Sequence, residues 1–289
     1  MAETSQPVLV HNGARRARWS EEKRLEFIDF RLRWEGRFNR SDLTDFFGIS
    51  VPQASIDISR YLQASPGNAS YDRKERAYVA GPAFVPVYPE NEPSRYMSEL
   101  FARASGLESA ETNFLGWSPP VGLTPVPRRP IEVGTVIALL RAVRNQLGLR
   151  IVYHSMTRPE PTSRAISPHA FGHDGLRWHA RAFCHTHGDF RDFVVGRILR
   201  VEGFEPRGAD PATDLPWHTI QSLELCPNPT LPEPHRRAVE LDYGMTNGRV
   251  TLQCREALRF YLENNLGLEK PVEGAPDRRR VVLSDDAHP

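Results

Sequence analysis

Arginine and histidine side chains alternate along a short segment in the middle of the chain. Arg177, His179 and Arg181 are spaced two residues apart, which places all three on one face of a β-strand, whereas Trp178 and Ala180 face the other way. Burying such a face without partners is costly. Guanidinium groups, however, make planar bidentate contacts with phosphate and carboxylate. The segment therefore indicates a surface that holds an anion.

The surroundings of this segment are rich in short strands and in positive charge. Four strands are predicted, over residues 151–155, 164–169, 175–183 and 191–198. Residues 141–200 contain ten Arg and no Lys against four acidic residues, whereas residues 1–80 hold thirteen basic against eleven acidic residues. The basic excess is therefore greatest in the strand-rich middle of a chain whose net charge is only +1.

Residues 19–90 follow the order of a winged helix-turn-helix domain, which is helix, helix, turn, helix and hairpin. The first helix is predicted to start at an N-cap, Ser20, and to end at Gly36. A short second helix and the turn at Gly48 come next, and then a third helix that Ser50 caps. Two short strands joined by residues 72–75 form the predicted wing.

The third helix and the wing supply candidate DNA contacts. In this class of domain the recognition helix enters the major groove, where Gln and Ser can bond base edges and cations bond phosphates. The alternative is an ordinary solvated face of a small helical domain. We predict that the helix contacts bases or the DNA backbone through Gln53, Ser55 and Ser59. Phosphate contacts are predicted from the end of the helix and from the wing, through Arg60, Arg73, Lys74 and Arg76.

The remaining segments complete an α+β multidomain chain. We expect a flexible arm at residues 1–18, a linker with one helix at 91–130, the anion-holding domain at 131–205 and a small C-terminal α+β dimerisation unit at 206–289. In the last unit, strands are predicted at residues 237–243, 249–252 and 279–283, with a helix over 255–265.

Composition excludes several classes of protein. The three cysteines are widely spaced and odd in number, which favours a reducing compartment over a disulfide framework. No apolar run is long enough for a membrane span, and the N-terminus lacks the apolar core of a signal peptide. We therefore expect a cytoplasmic protein without a membrane partner.

A metal site and an enzyme are two alternative hypotheses for the histidine-rich segment. Six of the ten histidines lie between His154 and His187, and Cys184, His185 and His187 superficially resemble zinc ligands. Zinc sites need four ligands at defined spacings, which this cluster lacks. No nucleophile elbow, phosphate loop or carboxylate pair accompanies Ser155 or Cys184. We predict no metal, no cofactor and no catalysis.

The strand pattern resembles the WYL domain of bacterial transcription regulators. It shares a first strand with Tyr153, an Arg-x-Ile-x-Pro strand from Arg164, a Gly-x-x-Trp strand from Gly175 and an Arg-x-Phe strand from Arg191. The signature triad reads Trp178-His179-Ala180, so only its first residue is kept. The resemblance implies an Sm-like β-barrel whose ligand-binding residues are Tyr153, Ser155, Arg164, His169, Trp178, His179, Arg181, Arg191 and Phe193.

The three-part layout is similar to homodimeric repressors that lie beside phage-defence operons such as CBASS and BREX. This resemblance implies a regulator that binds a pseudo-palindromic double-stranded operator and is released when an anionic nucleotide or nucleic-acid ligand binds the WYL domain. The sequence also allows two other hypotheses. The barrel could bind single-stranded nucleic acid directly, with Trp178 and Phe193 as stacking surfaces, or the domain could be an interaction module without a ligand.

Overall fold

The structure, a computed structural model, describes residues 9–88, 92–107, 113–127, 129–271 and 277–286. The chain divides into two compact units, Met1–Pro125 and Val126–Pro289. Residues 1–8 of the expected arm lie outside the described residues.

The first unit contains the predicted order of helices and hairpin. Its three strands form one small antiparallel sheet in the order β1-β3-β2. The elements are α1 (Leu9–Glu35), β1 (Arg37–Phe38), α2 (Arg40–Phe47), α3 (Val51–Ala64), β2 (Ala69–Asp72), β3 (Ala77–Ala80) and α4 (Pro93–Ser105).

The first helix begins earlier than predicted. The helical backbone of α1 starts at Leu9 and runs through Ser20, so the predicted N-cap at Ser20 is wrong and the expected arm is helical from Leu9 onward. The physical reason is local, because residues 14–18 are Ala and Arg, which have high helix propensity and continue a helix readily.

Two local signals set the turn between α2 and α3. Gly48 ends α2 in the left-handed conformation with φ 62°, which glycine adopts without the steric cost of a Cβ atom. Ser50 caps α3, and its side chain accepts a hydrogen bond from the backbone N–H of Gln53 at 3.4 Å. The turn thus sets the direction in which α3 leaves α2.

An aromatic core holds the first unit together. Phe27 of α1 packs against Phe46, Phe47 and Phe114, with ring centroids 4.9 to 5.4 Å apart. One side of α3 belongs to the same cluster through Ala54, Ile58 and Tyr61. Because these three residues face inward, the opposite side of α3 is left at the surface.

The second unit contains an open five-stranded antiparallel sheet in the order β7-β6-β5-β4-β8. Among the described strands, β7 and β8 are the two edges and no pairing closes them into a ring, so the expected Sm-like barrel is not confirmed. Helix α5 packs on one face of the sheet. The elements are α5 (Val133–Asn145), β4 (Gly148–Tyr153), β5 (Thr162–His173), β6 (Trp178–Cys184), β7 (Asp189–Val194) and β8 (Ile198–Glu205).

A smaller sheet in the order β10-β9-β11 follows in the same unit. The elements are α6 (Leu215–His218), β9 (Ile220–Pro227), α7 (Glu233–Asp242), β10 (Val250–Arg255), α8 (Arg259–Leu266) and β11 (Val281–Leu283).

The strand predicted at residues 237–243 is wrong, because helix α7 occupies this part of the chain. Only Val239 of α7 is buried, so the segment has no alternating buried face of the kind that a strand would need. Pro234 stands in the first turn of α7, where its missing N–H costs nothing.

None of the helices in the described ranges is both long enough and apolar enough to cross a membrane.

Candidate DNA-binding surface and anion site

The predicted base-reading residues lie on the side of α3 that the core leaves uncovered. Ser59 is exposed, and Gln53 and Ser55 are half-buried. The hydroxyl of Ser55 donates to the carbonyl of Val51 at 2.9 Å, and that of Ser59 donates to the carbonyl of Ser55 at 2.9 Å. Since a hydroxyl carries one proton, both oxygens present only acceptor lone pairs to a partner.

Gln53 is tied to a buried ion pair. Its Nε2 donates to Oδ1 of Asp57 at 3.0 Å. Asp57 is fully buried and accepts from Nε and Nη2 of Arg24 at 2.6 and 3.2 Å. The amide nitrogen of Gln53 therefore points toward Asp57, and its carbonyl oxygen remains as an acceptor for a base edge.

Arg60, the predicted phosphate contact at the far end of α3, forms an ion pair with Glu21 of α1. Both side chains are partly exposed, and an ion pair of this kind is weak and screened by salt. A phosphate could therefore compete with Glu21 for the guanidinium.

The wing residues Arg73, Lys74 and Arg76 are all exposed in the turn that joins β2 and β3. The carboxylate of Asp72 shapes this turn by accepting from the backbone N–H groups of Lys74 and Glu75 at 2.7 and 3.1 Å. Three cations at the tip of a two-stranded hairpin match the backbone-positioning contacts that such domains make with phosphates.

Eight of the nine predicted ligand residues lie in strands of the large sheet, on its two opposite faces, and Ser155 follows β4. Strand pairing places Arg181 opposite Asp192, and it places Ala180 opposite Phe193 on the other face. The face with Ala180 is the one against which α5 packs. The face with Arg181 is called the acid-paired face below, because buried carboxylates neutralise its cations.

On the acid-paired face, Arg181 is buried between two carboxylates. Its Nε and Nη2 donate to the two oxygens of Asp214 at 2.7 and 2.8 Å, and its Nη1 donates to Asp192 at 3.2 Å. The ring of His169 bonds Asp214 at 2.9 Å. Burial raises the pKa of Asp214, but the hydrogen bonds from Arg181 and His169 outweigh it and hold the pKa below its usual value.

A second buried carboxylate, Asp174, organises the other end of the acid-paired face. It lies 2.9 Å from His179 Nε2 and accepts from Arg177 Nε at 2.9 Å. Burial raises the pKa of Asp174, but these bonds and two backbone N–H groups outweigh it and keep the pKa well below its ordinary range. Arg177, His179 and Arg181 are therefore held by the protein's own acids, and this face is not the free cationic surface that the sequence indicated.

Arg164 stands apart from these neutralised cations. It is only 8% exposed, and its guanidinium lies over the ring of Tyr153 at 5.9 Å. Its Nε donates to Oγ1 of Thr162 at 3.1 Å. Within the described ranges, no carboxylate lies within ion-pair distance of Arg164. A buried guanidinium without an acidic partner can bind an anion bidentately.

The neighbours of Arg164 are positioned by packing. Tyr153 and Phe193 meet edge to face with ring centroids 5.2 Å apart, and the Tyr153 hydroxyl accepts from the backbone N–H of Val194. Phe193 is only 2% exposed, so its ring is not available for stacking on a base. The half-buried Ser155 hydroxyl lies just beyond β4 and pairs with Thr157 at 3.3 Å.

The two remaining predicted ligand residues are at the surface. Arg191 binds Asp189 through two hydrogen bonds of 2.7 and 3.0 Å, and both side chains are exposed. Trp178 is 52% exposed, and its ring lies 4.7 Å from that of His173. The structure therefore does not bring all nine residues into one pocket.

Sequence reasoning missed the carboxylates that pair with the cations. Asp192 could have been found, because it directly follows Arg191 on a predicted strand. Asp214 could not, because it is 33 residues from Arg181 in a Pro-rich connection with no strand or helix pattern.

The histidine cluster has other partners in the structure. His185 bonds the Ser167 hydroxyl at 2.8 Å, and His187 lies 3.1 Å from the Cys184 sulfur. In the part of the chain that the structure describes, no group of three or more potential ligands could hold a metal ion.

Comparisons with known proteins cover nearly the whole chain. Three family models match, namely the BrxR transcriptional regulator winged helix-turn-helix domain at residues 20–102, the WYL domain at 134–202 and the BrxR transcriptional regulator C-terminal dimerization domain at 220–288. These matches confirm the predicted winged helix, WYL domain and C-terminal dimerisation unit. Among solved structures, proteasome accessory factor B/C (PafBC) of Arthrobacter aurescens is 17% identical over 78% of this chain and 40% of that chain, with a TM-score of 0.24.

Three curated relatives are each described as the DNA-binding transcriptional repressor CapW. The protein from Stenotrophomonas maltophilia is 43% identical over 279 residues, which are 96% of this chain and 93% of that protein. The Pseudomonas aeruginosa protein is 42% identical over 94% of this chain and 90% of its own length, and that of Escherichia coli strain KTE188 is 41% identical over 94% and 92%. With all three domains and this identity over nearly its full length, the chain belongs to the CapW family of DNA-binding transcriptional repressors.

Proposed function

We propose that this repressor binds a pseudo-palindromic operator of a phage-defence operon as a homodimer. One α3 helix would enter the major groove of each half-site, and the half-site centres would be about one helical turn, roughly 34–36 Å, apart or a multiple of that. The observation that carries the proposal is the pairing of an uncovered face of α3 with three exposed wing cations, Arg73, Lys74 and Arg76, at the tip of the adjoining hairpin.

Operator binding can be tested with a labelled duplex from the promoter of the protein's own operon. We expect fluorescence anisotropy to report binding that weakens steeply with salt, with a logarithmic slope of about −0.9 for each phosphate neutralised. Lys74→Ala removes one phosphate contact in each half-site, so it should reduce the magnitude of that slope by about 2 and weaken all sequences alike. Salt-insensitive binding, or a preference for single strands in competition with the duplex, would contradict operator binding.

We further propose that an anionic nucleotide or nucleic-acid ligand releases the operator by binding at Arg164. Support comes from the contrast between two buried arginines of the same sheet. Arg181 already has two carboxylate partners, whereas Arg164 has none among the described residues and lies over the ring of Tyr153. An added anion therefore gains a charge partner at Arg164 without displacing an internal acid.

Release would follow from a difference in ligand affinity between two conformations of the dimer. A ligand shifts such an equilibrium only as far as its affinities for the two states differ. A coupling free energy of about 1–3 kcal/mol would change operator affinity by roughly 5–150-fold.

A further inference from the structure

The uncovered side of α3 is poor in free hydrogen-bond donors from Val51 to Ser59. We call this surface the outer face of α3 and define it by Val51, Ser55, Ile56 and Ser59, which are neighbours at helical spacing. The Ser55 and Ser59 hydroxyls already donate to helix carbonyls. The outer face therefore offers two aliphatic side chains and two acceptor oxygens.

Two polar groups next to the outer face have partners within the first unit. The amide nitrogen of Gln53 donates to Asp57, and Arg60 is paired with Glu21. The four residues of the outer face thus include no guanidinium or amide fork of the kind that reads guanine or adenine by paired hydrogen bonds, and the exposed amide of Gln63 lies at the C-terminal end of the helix.

Ile56 is the largest aliphatic group in the middle of this face. Its side chain is 46% exposed, and it is absent from the hydrophobic core that takes up Ala54 and Ile58 of the same helix. Val51, which is 55% exposed, lies at the first turn of α3 beside the cap. Neither side chain belongs to the hydrophobic core of the first unit.

The major groove contains one apolar group on its base edges, which is the C5-methyl group of thymine. Aliphatic side chains discriminate thymine from the other bases by packing against this methyl group, and they need no hydrogen-bond donor to do so. An exposed isoleucine fits the thymine methyl group, and the acceptor-only hydroxyls beside it match the amino group of the adenine that pairs with this thymine.

We propose that Ile56 reads a thymine in each operator half-site through contact with its C5-methyl group. The inference rests on the proposed insertion of α3 into the major groove and adds the identity of a base and of the residue that reads it. Loss of the thymine methyl group in one half-site should weaken binding about fourfold, and its loss in both half-sites should weaken binding about fifteenfold.

Deoxyuridine supplies the test, because it differs from thymidine only by this methyl group and pairs with adenine in the same way. Operator duplexes carry deoxyuridine in place of thymidine at one symmetric pair of positions at a time, and anisotropy measures the affinity of the full-length protein. We expect one symmetric pair at which the wild-type protein binds the deoxyuridine duplex about fifteenfold more weakly.

The variants assign the effect to a residue. Ile56→Ala should bind the thymidine and deoxyuridine duplexes within twofold of each other at that position, whereas Ile56→Val should keep most of the discrimination. Val51→Ala is the matched control, because it shortens the other exposed aliphatic side chain of the outer face and should leave the deoxyuridine effect in place. Thermal unfolding followed by circular dichroism should be nearly unchanged in Ile56→Ala, since the core does not include this side chain.

Two results would overturn the inference while operator binding itself stands. If the wild-type protein binds every deoxyuridine duplex as tightly as the thymidine operator, it makes no contact with a thymine methyl group. If Ile56→Ala keeps the full wild-type sensitivity to deoxyuridine, another residue makes the contact. Failure of the proposed function looks different, because the wild-type protein would then not bind the unmodified operator with steep salt dependence at all.

Discussion

The guanidinium of Arg181 donates to both carboxylate oxygens of Asp214, at 2.7 and 2.8 Å, across 33 residues of chain. Asp214 lies directly before α6, whereas Arg181 belongs to β6, so the pair joins the WYL sheet to the segment that leads into the C-terminal domain. Both side chains are nearly inaccessible to solvent. The pair is therefore an internal structural bond, and four predictions follow from it and from the other contacts described above.

Removal of Asp214 should be strongly destabilising. Asp214→Ala leaves the buried Arg181 with one carboxylate partner, and breaking a buried ion pair costs about 3–5 kcal/mol. Urea unfolding followed by circular dichroism measures the loss. Asp189→Ala is the matched control, because it removes an equally bidentate but exposed pair with Arg191 and should cost less than about 1 kcal/mol. Equal losses in the two variants would show that burial of the Arg181 pair adds no stability.

Stability should decrease as the pH falls below neutrality, and His169 should account for part of this decrease. Burial lowers the pKa of His169 and outweighs the hydrogen bond to Asp214, which acts in the opposite direction. The unfolded chain therefore takes up a proton near the ordinary value of 6.5 while the folded chain resists it, so the free energy of unfolding falls as the pH drops through this range.

His169→Gln removes this titration and should flatten the dependence of stability on pH between about 7 and 5. The low pKa values of Asp174 and Asp214 act in a separate window, because their contribution is complete above the ordinary value of 3.8 and is lost as the pH falls below it. Urea midpoints measured at several pH values check both windows. A variant with the wild-type slope between pH 7 and 5 would show that His169 contributes nothing there.

Arg164→Gln should separate operator binding from release. The side chain lies in the second unit, so operator affinity should stay within about twofold of wild type. Release by an anionic probe should be lost, because the buried guanidinium is the proposed charge partner. The measurement adds a panel of short single-stranded oligonucleotides and cyclic dinucleotides to the preformed operator complex and records anisotropy.

Arg191→Gln is the control for this experiment, because it removes a cation of the same sheet that is exposed and already paired with Asp189. Anionic probes should release the operator from Arg191→Gln as they release it from the wild-type protein. If a probe releases the operator from Arg164→Gln as readily as from the wild-type protein, the anion binds elsewhere.

Gln53 is predicted to read one base position with its carbonyl oxygen. Its amide nitrogen donates to Asp57, so the carbonyl is oriented outward as an acceptor for the amino group of adenine or cytosine. Gln53→Ala removes one hydrogen bond to the base and should relax preference at that position by roughly 0.5–1.5 kcal/mol. Affinities for a panel of single-base operator variants measure this preference, and an equal loss on every sequence would refute the base-reading role.

The sequence by itself determined the order of domains and the local geometry of the DNA-binding unit. Gly48 and Ser50 mark the turn before α3, as the sequence predicts. The strand pattern around Tyr153 and Trp178 was sufficient to indicate a WYL domain. These features follow from short-range rules of capping, turns and periodicity, which act within a few residues of chain.

Only the tertiary structure decided which cations of the sheet are available. Arg164 and Arg181 have the same chemistry and lie on neighbouring strands, yet Arg181 meets one buried and one partly buried carboxylate and Arg164 meets an aromatic ring. The sheet edges that stay open are likewise set by long-range packing. A charge is neutralised by whichever residues the folded chain brings within a few ångströms, and for Arg181 and Asp214 that contact depends on how two distant segments dock.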